Sequence, residues 1–332
     1  MKAAVWTAYG PPDVIQLGEI PTPEPGKGEV RVKIEATTVT AGDTEMRSLK
    51  FPWYLGLPIR IYAGWRKPKR MLVLGQEYAG VVDKLGDDVS EFNVGDKIFA
   101  SGTMPRLGGH AEYTIAPAIP TDGLMALRPD ALNPEEAAAI PFAAFEAYFF
   151  LNKAKLRSGE RILIVGAGGS IGTYAVQIAK AWGAEVTAVD RAPKHATLSE
   201  IGADEVLDPA ANWGKSKFDV VLDVVGIGTY GRAIQSLRRG GRYTSSNPRF
   251  LLLFRAPWAR FVSGKRVIVG AANHKPEAIS AITALIESGK VKPVIGRRFT
   301  LDEIVDAHRY AESGDKIGNT IVIVDQANGG AR

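Results

Sequence analysis

The sequence predicts an α/β protein built of two dissimilar parts, and a change of rhythm along the chain is what predicts it. The first part runs as short β segments broken by turns: AAVWTAY, EVRVKIEATTV, YAGVVDKLG, DKIFASG and HAEYTIAP, with PTPEPGKGE and GDDVSEFNVGD between them. Short strands with Pro- and Gly-rich connections suggest a compact, irregular β-barrel. From about residue 124 onward, apolar strands alternate with helices, which implies a parallel sheet covered on both faces.

The elements of the second part follow in order. NPEEAAAIPFAAFEAYFFLNKA, Asn133 to Ala154, is helical with an acidic first turn. RILIVGA reads as a buried strand, IGTYAVQIAKAWG as an amphipathic helix, EVTAVD as a strand and HATLSEIG as a helix. FDVVLDVVG is a strand, TYGRAIQSLRRGG a helix, and GRYTSSN and RVIVGAA close the sheet. The tail, with PEAISAITALIESGK, LDEIVDAHRY and NTIVIVD, is expected to fold back on the first part. Domain borders are therefore expected after residues 124 and 272, giving segments 1–124, 125–272 and 273–332.

Composition narrows the chemistry. The chain has 332 residues, 45% hydrophobic and 23% charged, enough for two cores and unlike disordered or collagenous chains. Cysteine is absent, which removes disulfides, thiolate metal sites and thiol nucleophiles. No apolar leader core opens the sequence and no hydrophobic run is long enough to span a bilayer, so a cytoplasmic protein without membrane insertion is expected. The net charge of +5 reads as spread along the chain, with no basic run interleaved with stacking aromatics, so nucleic acid is not an expected partner.

GAGGSIG, Gly166 to Gly172, follows a strand and leads straight into a helix. Such a turn brings backbone close to a pyrophosphate and aims a helix N-terminus at its charge. Gly166, Gly168, Gly169, Ser170, Ile171 and Gly172 are the expected cradle. The next strand ends in Asp190, where a carboxylate accepts from ribose hydroxyls and repels a 2′-phosphate. NAD(H) is thus slightly favoured over NADP(H), although Arg191 and Lys194 can neutralise a phosphate. A capped helix beside a solvated acid is the plainer alternative. Methyltransferases share this turn and acid, but the preceding β domain disfavours them.

Taken together, GEVRVKIEATTVTAGD, LGQEYAGVV, VGDKIFA, GGHAEY, PFAAFEAY, GERILIVGAGGSIG, FDVVLDVVG and IESGKVKP cover nearly the whole chain. In this order they resemble the medium-chain dehydrogenase/reductase superfamily, and within it the zinc-free quinone oxidoreductase-like branch. The resemblance implies a GroES-like catalytic β-barrel formed by the first part and the tail, with a Rossmann doubly wound parallel sheet between. It also implies a cleft where the two meet, a small-molecule substrate, and a homodimer joined through the last Rossmann strand, RVIVGAA.

Zinc-dependent members carry a cysteine after the strand that reads IEATTV here, and a Gly-His-Glu triplet where this chain has Gly75, Gln76 and Glu77. Catalytic zinc takes three protein ligands at about 2 Å. Only His110, His195, His274 and His308 offer imidazoles, none at i, i+4 spacing, so no metal is expected. Without a Lewis acid, hydride addition to a quinone or an α,β-unsaturated carbonyl is the easier reaction, because charge delocalises into a hydroquinone anion or enolate.

By the family's motif positions, Thr40, Asp43, Glu45 and Gln76 border the cleft, with Thr40 in place of a usual Asn. Gln76 either donates to substrate or bridges backbone groups. Tyr54 and Tyr62, in the aromatic segment FPWYLGLPIRIYAGW, are further candidate donors or packing residues. Glu146 stands where relatives often have Thr beside the nicotinamide, and an arginine partner is one expectation for it. Val225 and Gly226 suit a loop under the nicotinamide ribose, and Ser245 and Ser246 end a strand where open α/β sheets bind ligands. The apolar segment 249–262, with its three arginines, lines a pocket, meets a partner, lies on a membrane surface or simply packs partly buried. A zinc-free alcohol dehydrogenase and a redox-sensing cofactor-binding protein are the competing readings.

Overall fold

The computed structural model describes residues 1–102, 107–120, 123–226, 229–247, 263–270, 272 and 276–324. The segment 249–262 lies outside the described residues, and so does His274. The chain divides into two units, Met1–Phe142 with Ile295–Arg332, and Ala143–Val294.

The first unit begins with an antiparallel pair, β1 (Lys2–Trp6) and β2 (Ile15–Glu19). Strand β3 (Glu29–Thr38) follows, and places Val30, Val32 and Ile34 on one face because alternate residues of a strand share a face. Helix α1 (Ala41–Ser48) starts at Thr40, whose hydroxyl accepts from the Asp43 N–H while the Asp43 carboxylate accepts from the Thr40 N–H. Helix α2 (Trp53–Ala63) comes next. Strands β4 (Glu77–Leu85), β5 (Lys97–Ser101), β6 (Tyr113–Pro117) and β7 (Leu124–Leu127) complete this part. Val30, Val32, Ile34, Tyr78, Val82 and Ile98 form its core.

The helix expected from Asn133 to Ala154 is two helices, α3 (Pro134–Ala138) and α4 (Ala143–Lys153). Pro141 explains the break, since it lacks an N–H and disfavours helical backbone at Ile140. The unit border falls inside this break rather than after residue 124. β7 pairs with β5, and the Phe142 N–H donates to the Glu77 carboxylate at 2.7 Å, which holds residues 124–142 to the first unit.

The second unit alternates β8 (Arg161–Val165), α5 (Ser170–Ala181), β9 (Glu185–Val189), α6 (His195–Glu200), β10 (Glu205–Leu207), β11 (Phe218–Asp223), α7 (Tyr230–Ser236), β12 (Leu237–Ser245) and β13 (Arg266–Ile268). Its sheet runs β10-β9-β8-β11-β12-β13, all neighbours parallel, so the order reverses beside β8. Leu163, Val165, Val189, Val221 and Phe218 fill the core on one side. Helix α8 (Pro276–Glu287) packs against α4 and belongs here, so the second border lies after Val294 and not after residue 272.

The chain then returns to the first unit as β14 (Ile295–Thr300), α9 (Ile304–Glu312) and β15 (Asn319–Ile323). β15 pairs with β3, giving the order β14-β15-β3-β4-β5-β7. No described helix is long and apolar enough to cross a membrane.

Candidate functional site

In the second unit the glycine-rich turn sits at the carboxyl end of β8, beside the point where strand order reverses. Gly166 adopts φ +79°, a left-handed conformation that favours glycine. A Cβ on Gly172 would stand 2.4 Å from the Gly166 carbonyl oxygen and 2.5 Å from the Ala167 Cα, so only glycine lets α5 start this close to the turn. Gly169 caps α5 and brings no side chain over its N-terminus, where Ser170 and Ile171 follow.

Asp190 is buried at the end of β9, and its carboxylate is tied to the turn. Oδ2 accepts from the Gly168 N–H at 2.8 Å and Oδ1 from the Arg191 N–H at 2.8 Å. Lys194 is buried too, with Nζ 3.1 Å from Oδ1. A Cβ on Gly168 would meet Lys194 Cδ at 2.4 Å. Asp190, Lys194 and the turn therefore form one joined group, while Arg191 is exposed. The turn fits a dinucleotide pyrophosphate: it offers a glycine-lined approach, a helix start without a side-chain cap and an acid at the ribose position.

A residue the sequence reading passed over organises the opposite rim. Asp223, at the end of β11, is fully buried and accepts from the Val225 N–H at 3.1 Å and the Gly226 N–H at 2.8 Å. Its other oxygen accepts from Tyr243 at 3.0 Å and from the Thr229 hydroxyl. It thereby fixes the loop of Val225 and Gly226, which has φ +69° at Gly226, next to the end of β12. There the Ser246 N–H donates to the Asp223 carbonyl at 3.3 Å, and Ser245 Oγ accepts from the Asn247 N–H at 3.2 Å. The signal was present as a lone acid ending the apolar run VVLD.

Glu146 stands in the first turn of α4, partly buried, with no hydrogen bond or ion pair among the described residues. No arginine among the described residues pairs with it. Burial pushes its carboxyl up to about 7.

In the first unit, Thr40, Asp43 and Gln76 converge. Asp43 is fully buried and accepts from the Thr40 N–H at 2.9 Å, the Thr40 hydroxyl at 2.7 Å and the Gly75 N–H at 2.9 Å. Thr40 Oγ1 also lies 2.8 Å from Gln76 Oε1. The hydroxyl has one proton for these two acceptors. When it goes to Gln76 Oε1, the Gln76 amide is oriented with Nε2 turned away, and Nε2 has no partner among the described residues. Gly42 makes room for this arrangement, because a Cβ there would stand 2.3 Å from Gln76 Oε1. Gly75, at φ +104°, passes so close to His110 that a Cβ would lie 2.6 Å from the His110 backbone nitrogen.

Glu77 has a structural role: its buried carboxylate accepts from the Thr38 hydroxyl at 2.6 Å as well as from Phe142. His110 is likewise built in, with Nε2 2.8 Å from the Thr38 carbonyl and its ring edge-on to His308 at 5.5 Å. His308 is held neutral, its pKa well below the usual value through burial, then His110 and Arg47. Glu45 is partly buried on α1, and burial raises its carboxyl.

Tyr54 and Tyr62 do not join the Thr40, Asp43 and Gln76 group. They stand on α2, Tyr54 edge-on to Trp53 and Tyr62 beneath the Arg70 guanidinium. A cavity of about 420 Å³ in the first unit, lined by Ile20, Met71, Val73, Leu107 and Tyr113 among others, also takes none of the expected site residues.

Comparisons with known proteins agree with the fold. Residues 26–125 match the alcohol dehydrogenase GroES-like domain, and residues 201–322 match the family described as zinc-binding dehydrogenase. The 2-methylene-furan-3-one reductase of Solanum lycopersicum is 32% identical across 97% of this chain and 79% of its own length. The chain belongs to the medium-chain dehydrogenase/reductase superfamily, in its quinone oxidoreductase-like branch.

As a member of that superfamily it is an NAD(P)H-dependent oxidoreductase. The mitochondrial NAD(P)H oxidoreductase of Mus musculus is 30% identical over 89% of this chain and 82% of its own. The solved structure of the quinone oxidoreductase from Coxiella burnetii superposes with a TM-score of 0.84 at 27% identity, covering 98% of this chain and 99% of that one. The superfamily's zinc does not fit the residues here. Gln76 supplies an amide where an imidazole is needed, cysteine is absent, and Asp43 is already committed to three donors.

Proposed function

We propose that this oxidoreductase works without zinc and reduces a quinone or an α,β-unsaturated carbonyl compound with NAD(P)H. The Gln76 amide supports this reading most directly: it stands in the metal-ligand triplet, oriented by Thr40, with its N–H donors unclaimed among the described residues. NAD(P)H supplies a hydride when bound, and the protein's share is to hold, orient and screen. Thr40 and Asp43 position Gln76, and Gln76 Nε2 donates to the acceptor's oxygen as negative charge grows there. One neutral donor suffices for a delocalised hydroquinone anion or enolate more readily than for a localised alkoxide.

On the cofactor side, Gly166, Gly168, Gly169, Ser170, Ile171 and Gly172 take the pyrophosphate and Asp190 the adenosine ribose. Val225, Gly226, Ser245 and Ser246 border the nicotinamide half, and Glu146 stands beside it. NAD(H) is preferred because Asp190 opposes a 2′-phosphate, while the neutralising Lys194 keeps NADP(H) as a weaker alternative. This reading takes the chain as a cytoplasmic homodimer joined through β13, the strand that ends the sheet order.

The test is a panel of quinones, enals, enones, ketones and alcohols with each cofactor, run with and without chelator. Turnover of quinones or conjugated carbonyls that chelator leaves unchanged is expected. Alcohol oxidation abolished by chelator would refute it.

A further inference from the structure

Helix α2 is inside out. A helix on a water-soluble surface buries its large apolar side chains and exposes its polar ones. Here the face turned inward carries the small residues Gly56 and Ala63, which are buried, together with Ile59, which packs on the core of Trp6, Met46 and Leu74. Trp53, Leu57 and Ile61, spaced i, i+4, i+8 on one stripe, are 80%, 44% and 63% exposed, and Trp65 just beyond is 60% exposed. Three large apolar residues on one face of so short a helix, with a fourth just past its end, form a patch that ordinary surface scatter does not explain.

The charge along this stretch of chain is of one sign. No Asp or Glu occurs between Glu45 and Glu77, whereas Arg60, Arg66, Lys67, Lys69 and Arg70 all fall within that stretch. The positive charge is therefore concentrated here and not evenly spread as the composition suggested. Arg66, Lys67 and Lys69 are exposed and have no acidic partner among the described residues.

We propose that α2 and residues 64–70 form a docking surface for the anionic face of a lipid bilayer. Exposed Trp and aliphatic side chains enter the boundary between headgroups and acyl chains, and the unpaired cations meet the lipid phosphates. At 11 residues α2 is too short to span, so it lies in the plane of the surface. An acid-free, cationic stretch of chain carrying an apolar ridge complements a surface that is negative above and apolar below. The docking does not depend on which acceptor is reduced, and its assay reads binding alone.

Flotation of the full chain with vesicles tests it. Binding to vesicles of mixed phosphatidylcholine and phosphatidylglycerol is expected, with little to phosphatidylcholine alone, and it should weaken as salt rises. Arg66→Glu with Lys67→Glu should lower that binding by about twenty-fold or more, from about 1 kcal/mol per cation. The variant W53S/L57S/I61S should lose it while NADH binding and the melting temperature are retained. Failure of the folded wild type to float with anionic vesicles would overturn the proposal, as would flotation that survives both sets of substitutions. Sedimentation supplies a further check: if W53S/L57S/I61S turns a dimer into a monomer, the patch covers a second copy and the lipid assignment falls.

Discussion

Removal of the Asp43 carboxylate is the sharpest test of the acceptor-side cluster. Asp43→Ala leaves three donors without their acceptor: the N–H groups of Thr40 and Gly75 and the Thr40 hydroxyl. The hydroxyl can turn to Gln76 Oε1, already 2.8 Å away, so two backbone N–H groups go unsatisfied. Each stranded buried donor costs about 1–3 kcal/mol, partly offset because a buried charge is no longer desolvated. A net loss of about 3 kcal/mol corresponds to a fall in melting temperature of roughly 6–12 °C for a unit of this size. Asp43→Asn keeps the shape and two of the contacts but sets an amide N–H against a backbone N–H, so its loss should be intermediate. Thermal melts followed by circular dichroism measure both. Because Gly75 leads directly into Gln76, the acceptor KM of Asp43→Asn should also rise while NADH affinity holds. An Asp43→Ala protein melting within about 2 °C of wild type would refute the claim that this carboxylate anchors the cluster.

Other expectations follow from the cofactor side. Gly172→Ala drives a Cβ to 2.4 Å from the Gly166 carbonyl, and NADH affinity measured by nicotinamide fluorescence should drop by more than about tenfold. Asp190→Ser should shift the NADH to NADPH preference toward NADPH in the same titration; no shift would tell against the ribose assignment. Glu146, raised to about 7 when folded, ionises in the unfolded chain at its ordinary value of 4.5. The unfolded state therefore loses its proton first as pH rises, and stability from this group is full below 4.5 and lost as pH passes through 7. That loss, up to about 3 kcal/mol, should be absent in Glu146→Gln, as urea unfolding at pH 5 and pH 8 would show.

The parts of the site that sequence made legible are those set by local chain geometry. Gly166 to Gly172 form their turn through backbone, and the Asp190 carboxylate closes on it from the end of the next strand, so the order of residues nearly specifies the arrangement. Thr40 and Asp43 were placed together by the family's motif positions, and the capping box they form needs only three-residue spacing. Contacts across the fold were harder. Tyr54 and Tyr62 shared the right segment with the motifs, but nothing local says which way α2 turns its side chains. Asp223 was read as part of a buried strand, since its worth comes from Tyr243 and Gly226, which pairing of β11 with β12 brings near. Pro141 marks the break between α3 and α4, but the helical pattern on either side reads as one continuous helix.

The pairing of β15 with β3 constrains the order in which this chain can assemble. β3 lies in the interior of its sheet, yet one of its neighbours is contributed by residues 319–323, beyond the whole of the second unit. During synthesis from the N-terminus, residues 143–294 emerge as one continuous stretch and can settle as their own unit, since domains generally fold as units. The first unit has to wait. Until β15 arrives, one side of the end of β3 offers free backbone donors and acceptors to any passing strand. A chain cut before β14 keeps that edge permanently, so it should aggregate even though every residue from 1 to 294 is in place.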